Sequence, residues 1–161
     1  MFRRLARIKQ VIPEEECIEI LKRERRGVLS LLGDDDYPYG VPINYLYLEE
    51  DGCLYFHGAK KGHRIDAMMK HDKASFCVFA ESENDETPDP SWALRFQSVI
   101  VFGRMEVVED GERAVEISRQ LCYKFTDDES YIEHEISVFG KAVFCVRLRP
   151  EHICGKTVME K

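Results

Sequence analysis

Between Cys53 and Asp72 the chain reads CLYFHGAKKGHRIDAMMKHD, and here its chemistry-bearing residues crowd together. Gly58, Ala59 and Gly62 leave backbone N–H groups accessible in a tight loop. Lys60, Lys61, His63 and Arg64 gather positive charge around it. A helix is expected from about His63, and a helix N-terminus favours an anion. Small residues, basic side chains and a helix start together make the chemistry of a phosphate site. The same residues would also serve as a solvated turn that balances an acidic protein. The stretch alone leaves both readings open.

Elsewhere the reactive side chains are less organised. No GxSxG elbow occurs, so a serine hydrolase has no nucleophile in the required turn. A Cys–His pair could meet only in space, and with 30 acidic residues a pair of carboxylates carries no information. His71, His134 and His152 are isolated and read as surface or capping residues, whereas His57 ends a strand at the mouth of the basic loop. Asp34, Asp35 and Asp36 form an acidic run that reads as a solvated hairpin loop. The six cysteines stand at 17, 53, 77, 122, 145 and 154 without a CxxC, which supports neither a zinc site nor a disulfide framework. Metal ligands are therefore not assigned, and no residue is singled out as catalytic.

These residues need elements to hold them. Pro13 opens a helix over about 13–26, with Glu14, Glu15 and Glu16 early, Lys22, Arg23, Arg25 and Arg26 late, and Gly27 as the stop. Val28 to Leu32 reads as a buried strand. Val41 to Leu48 reads as the next, with Pro42 marking an edge, a start or a bulge. Asp51-Gly52 turns the chain into Cys53–His57, antiparallel to 41–48. Ile65, Met68 and Met69 give the helix after the loop one apolar face. Ala74–Ala80 is a strand, Ser82–Ser91 a polar exposed loop, and Arg95–Val108 a long strand with a bulge expected at Gly103. A helix follows over Glu112 to about Phe125, Tyr131–Val138 is ambiguous, and Ala142–Leu148 closes the sheet. About six strands and three helices, with hairpins and no βαβ repeat, predict an antiparallel barrel or sandwich decorated with helices.

The 161 residues fit one domain, 1–161, with 44% hydrophobic and 33% charged residues. A net charge of -7 argues against nucleic acid as a partner. No run of about 18 apolar residues is present to cross a membrane. MFRRLARIKQ lacks the apolar core of a secretory signal, so reduced thiols in a cytoplasm are expected.

Leu54-Tyr55-Phe56-His57-Gly58-Ala59 followed by Gly62-His63-Arg64-Ile65-Asp66 resembles the central motif of the FMN-binding split barrels. These belong to the pyridoxamine 5'-phosphate oxidase superfamily, and the resemblance is nearest its nitroimidazole-resistance branch. Gly27-Val28-Leu29, Tyr39-Gly40-Val41-Pro42-Ile43-Asn44-Tyr45, Gln97 to Gly103 and Ile153-Cys154-Gly155-Lys156 resemble further family segments in the right order. Cys154 replaces a threonine of the branch. Together they span nearly the whole chain.

The resemblance implies a mainly β fold with flanking helices, an antiparallel split β-barrel of the FMN-binding type, and a homodimer with flavin at its interface. It implies that Val41, Pro42, Ile43 and Asn44 offer backbone and an amide to the flavin, and that His57, Gly58 and Ala59 line its ring and ribityl chain. Lys61, His63 and Arg64 would hold the phosphate, with Ser98 and Val99 approaching from the long strand. His63-Arg64 departs from the Arg-Lys or Lys-Lys of many relatives, so Lys60, Lys61, His63 and Arg64 all stay open as the phosphate ligand. The implied activity is an oxidoreductase passing electrons from a reduced nicotinamide or other donor to a small organic acceptor, nitroaromatic compounds among them. A flavin carrier or sensor without turnover, and a haem- or deazaflavin-binding relative, are the alternatives on the same fold.

Overall fold

The structure is a computed structural model that describes residues 2–81, 95–140 and 143–159. The polar loop expected at 82–91, and Ala142, lie outside the described residues. The described strands are β1 (Val11–Ile12), β2 (Arg26–Leu32), β3 (Pro38–Asn44), β4 (Leu46–Leu48), β5 (Cys53–Gly58), β6 (Lys73–Glu81), β7 (Arg95–Val107) and β8 (Phe144–Met159). The helices are α1 (Glu14–Arg23), α2 (His63–Lys70), α3 (Gly111–Tyr123) and α4 (Glu129–Phe139). Every pairing is antiparallel, in the order β3-β2-β6-β7-β8-β5-β4, with β1 added to β8.

That order has a geometric consequence. The two ends of the path, β3 and β4, are consecutive in sequence with only Tyr45 between them. Seven strands at about 4.8 Å spacing cannot lie flat if one residue joins the first to the last. The sheet therefore curls until its edges nearly meet, and it stays split between β3 and β4. This is the expected split barrel.

Several boundaries differ from expectation. α1 ends at Arg23 and not near Arg26, because Arg26 and Gly27 are drawn into ladder pairs with Asn44 and Ile43. The expected strand 41–48 is two strands, since β3 pairs with β2 while β4 turns to pair with β5. Cys53–His57 accordingly faces only the second half of that stretch. The ambiguous segment 131–138 is helical, its start capped by Asp128, whose carboxylate accepts from the Tyr131 N–H. The closing strand runs 16 residues, to Met159, because a register shift after Phe102 skips Glu151 and lets pairing continue past Pro150. The bulge at Gly103 is present.

Alternation on the strands separates two faces. Leu29, Phe56, Phe76, Val78, Val99, Val101 and Leu148 are inside, covered at one end by Cys17, Ile20 and Leu21 of α1. The rings of Tyr45 and Phe56 meet Phe76 edge-on at 4.7 and 5.3 Å. A smaller cluster under α3 joins Leu46, Leu48 and Tyr55 to Ile117 and Leu121. All six cysteines are free thiols, and burial raises the pKa of Cys17 and Cys53 to about 11.

Tyr45 closes the split from inside, with its ring fully buried and its hydroxyl without a hydrogen-bond partner among the described residues. Lys124 lies 4.3 Å above that ring and donates to the Glu24 carbonyl at 2.5 Å, tying the end of α3 to the end of α1. An unpartnered buried hydroxyl costs about 1–3 kcal/mol. Tyr45→Phe is expected to stabilise the protein by about 1 kcal/mol in urea denaturation. A lower midpoint would show that the hydroxyl is satisfied.

Candidate functional site

The basic loop is positioned by the end of β5 and the start of α2. β5 carries Cys53, Leu54, Tyr55 and Phe56 into the interior, then emerges so that His57 and Gly58 are exposed. The chain reverses through Ala59, Lys60 and Lys61 to Gly62, whose φ of 115° favours glycine. The Gly62 carbonyl accepts from the N–H groups of Ile65 and Asp66 at 2.8 and 3.1 Å. No side chain caps this helix, whereas α3 and α4 are capped by Asp110 and Asp128. The first N–H groups of α2 thus face a space that a side chain would ordinarily fill.

Arg64 turns back over the end of β5. Its guanidinium lies so close over Gly58 that a Cβ there would be 2.5 Å from Nη2. Burial disfavours the charged form of Arg64 and lowers its pKa. An anion between the guanidinium and the helix start would oppose that effect by pairing the charge. Lys61 is exposed on the rim.

His63 is turned elsewhere. Its ring stacks on Tyr39 at 4.1 Å, and Nε2 is 3.7 Å from the Asp34 carboxylate. Asp34 also takes a hydrogen bond from Lys70 at 3.0 Å, which foremost holds its carboxyl below the usual range. The acidic run is the solvated hairpin loop expected between β2 and β3, with Asp34 tied to α2. It is a short 3-10 turn, with Asp35 and Asp36 at φ 53° and 60°, docked on α2. Asp34 and Tyr39 are neighbours of His63 that residue types and spacing did not reveal.

β3 places the remaining residues. Cross-strand pairing puts Pro42, Val28 and Cys77 on one face of the sheet. Phe79 and Ser98 pair on the same face, where Phe79 is 66% exposed. A cleft of about 730 Å³ runs over Val28, Pro42 and Phe79 beneath the Arg23–Gly27 segment. Asn44 shares this face and accepts from Arg26 Nε at 2.9 Å, which fixes its amide. Ile43 points inward to the core, and the side chain of Val99 is fully buried there, opposite to Ser98. Val41 alternates with Pro42 on β3. Backbone groups are what Val41, Ile43 and Val99 can present to a ligand on the Ser98 face.

The structure thus brings Asn44, His57, Gly58 and Arg64 into one neighbourhood, with Ala59 and Lys61 on the loop and His63 held at its back. Desolvation first, and then the Arg64 charge, lowers the pKa of His57. Below about pH 6.5, the ordinary histidine value, the unfolded chain takes up a proton that the folded chain resists. Stability is therefore expected to fall with acidification across that window. His57→Asn should flatten the fall of the melting temperature with acidification below about pH 6.5. An unchanged slope would show that His57 does not contribute.

Residues 13–157 match the family described as pyridoxamine 5'-phosphate oxidase. No curated protein matches the chain. Among solved structures, the chain is similar to a protein assigned to 5-nitroimidazole antibiotic resistance from Bacteroides thetaiotaomicron, at 18% identity and TM-score 0.72, covering 91% of this chain and 86% of that one. An FAD-binding protein from Mesorhizobium loti is 23% identical, with TM-score 0.63 and coverage of 94% and 97%. An FAD and haem binding protein from Mycobacterium smegmatis is 19% identical, with TM-score 0.69 and coverage of 95% and 74%.

Proposed function

Because this chain belongs to the pyridoxamine 5'-phosphate oxidase family, we propose that it binds FMN and passes electrons from a reduced nicotinamide or similar donor to a small organic acceptor. The observation that carries the reading is the cradle itself. α2 starts without a side-chain cap after Gly62, around which a Cβ would meet nothing, and the Arg64 guanidinium lies over Gly58; a phosphate monoester would supply the acceptors that both need. Arg64 is the principal phosphate ligand, able to bind two oxygens at once. Lys61 adds charge from the rim. His63 supports the cradle from behind through Tyr39 and Asp34.

Structural relatives are named for FAD, and both flavins share the ring, ribityl chain and first phosphate. The docked Asp34–Asp36 turn favours FMN here, because its negative charge opposes a second phosphate beside the first. The face bearing Val28, Cys77, Phe79 and Ser98 is the bed for the ring and the surface for a second copy of the chain. Free thiols suit a reducing cytoplasm.

When bound, the flavin supplies the redox chemistry. The Asn44 amide, the β3 and β7 backbones, the phosphate cradle and the His57 ring nitrogen would hold and orient it. The test is the absorbance spectrum of the purified protein after desalting and reconstitution with FMN. Flavin absorbance that co-elutes with a dimer supports the reading, and a protein that takes up no FMN overturns it. Rapid mixing with NADH or NADPH then separates an enzyme, whose flavin bleaches, from a carrier, whose flavin stays oxidised.

A further inference from the structure

We propose that the slot beneath the N-terminal arm binds an aliphatic monocarboxylate, its alkyl chain inside and its carboxylate held at the rim by Arg3 and Arg4. The arm is an arch pinned at both ends. At one end the Phe2 ring stacks on His152 at 4.7 Å and lies 5.4 Å from the ring of Phe102. At the other, Val11 and Ile12 of β1 pair with Lys156 and Gly155 of β8. Between the pins the chain makes a 3-10 turn at Ile8–Gln10. A cavity of about 330 Å³ remains between the arm, the start of α1 and the His152–Gly155 stretch of β8. That is the low end of the roughly 300–1,000 Å³ of small-molecule sites, which suits a single chain. The slot shares no residue with the phosphate cradle or with the face proposed for the flavin ring, so it can be tested apart from the flavin reading.

The lining sets the tail. Leu5, Ile8, Val11, Ile12 and Ile153 are aliphatic, and the one ring in the lining, His152, is already stacked on Phe2. An alkyl chain therefore finds contacts on every wall, whereas a flat ring finds no free stacking partner. Cys17 and Cys154 also line the slot, and burial foremost raises the pKa of both thiols. Charge is disfavoured beside them, so the charged end of a ligand belongs at the rim. Ile8 and Val11 are 78% and 48% exposed, and a bound chain would take part of that apolar area out of water.

The rim sets the head. Arg3 and Arg4 both line the slot, and neither has an ion-pair or hydrogen-bond partner among the described residues. Each guanidinium can give two parallel hydrogen bonds to a carboxylate. The stacked Phe2 beside them restrains the backbone, so less freedom is lost when they close on a ligand. Glu14 is the one carboxylate in the lining, and the two arginines outweigh it. That excess is small in a protein of net charge -7, which favours a single negative charge over the nearly doubled charge of a phosphate monoester. A cation would meet both arginines.

The test is calorimetry on the purified full chain with octanoate, hexanoate, octan-1-ol and octylammonium. Octanoate is expected to bind best, with the alcohol weaker and the ammonium weakest. Hexanoate should bind about five- to fifteenfold more weakly than octanoate, the loss expected for two buried methylenes. Arg3→Gln together with Arg4→Gln should weaken octanoate about five- to thirtyfold, as loss of exposed charge partners does, and leave octan-1-ol unchanged. Ile8→Ser should weaken octanoate and octan-1-ol alike, about three- to tenfold. All three positions are exposed, and the melting temperature checks that the variants fold. Val11→Thr, which keeps the branched shape and removes apolar surface, stands in if Ile8→Ser unfolds. Sedimentation with phosphatidylglycerol vesicles separates a free carboxylate from a bilayer surface. Vesicle binding without octanoate binding, equal or tighter binding of the alcohol or the ammonium, affinity indifferent to the arginines or to chain length, or no binding of octanoate overturns the proposal.

Discussion

Gly103→Val is expected to abolish the folded state at temperatures where the wild-type protein is stable. A Cβ at this position would be 2.1 Å from the Arg149 carbonyl oxygen, 2.8 Å from its carbonyl carbon and 3.0 Å from the Pro150 Cα. All three are backbone atoms of the paired strand, so no side chain can rotate away. The glycine stands at the register shift through which β7 and β8, the two longest strands, stay paired. Ordinary overpacking costs about 1–3 kcal/mol, and a clash with an unyielding backbone lies above that range. Against a total stability of about 5–15 kcal/mol, such a loss brings the midpoint near or below working temperature. Gly111→Ala is the control, because nothing lies within 4 Å of a Cβ there and the residue begins α3. Its effect should be within about 0.5 kcal/mol or slightly stabilising. Circular dichroism with urea titration of both variants decides; equal midpoints for Gly103→Val and wild type would mean that the bulge yields.

Loss of the cradle is the second large effect. Arg64→Ala removes the buried charge-assisted contact, worth about 2–3 kcal/mol, or roughly 30- to 150-fold in FMN affinity. Adding Lys61→Ala should weaken binding further by a smaller, salt-dependent factor, because Lys61 is exposed on the rim. Arg64→Lys should fall between, since an ammonium keeps the charge and loses the two-pronged geometry. The flavin-free proteins should melt almost alike, because Arg64 covers Gly58 without filling the core. Fluorescence titration with FMN reads the affinities directly. Wild-type affinity in Arg64→Ala would move the phosphate away from α2.

The outcome for individual elements shows which signals are local. Pro13 with three following glutamates marked the start of α1 correctly, because helix starts are written in nearby residues. Its end was displaced because residues 26 and 27 are claimed by β3, a partner some 17 positions away that no local pattern reveals. The break at Tyr45 was invisible for the same reason. YLYL continues the alternation of VPIN, and only the closing of the sheet separates them. Pairing was expected to close at Leu148, yet β8 runs on past Pro150 by skipping Glu151 at the register shift beside Gly103. At the site, residue types and spacing left an anion loop and a solvated turn equally open, and only the order of further segments along the chain favoured the first. What could not be read was the division of labour. His63 and Arg64 are adjacent in sequence, but one is committed to Tyr39 and Asp34 while the other turns over Gly58.

The split between β3 and β4 leaves two free strand edges, and a free edge invites another chain to add itself and seed aggregation. Here each edge carries its own protection. β3 has proline at 38 and 42, two residues without a donor N–H on a strand of seven. β4 is only three residues long, too short to hold an added strand in register. A barrel left open between β3 and β4 thus keeps its opening unusable as a template for fibres.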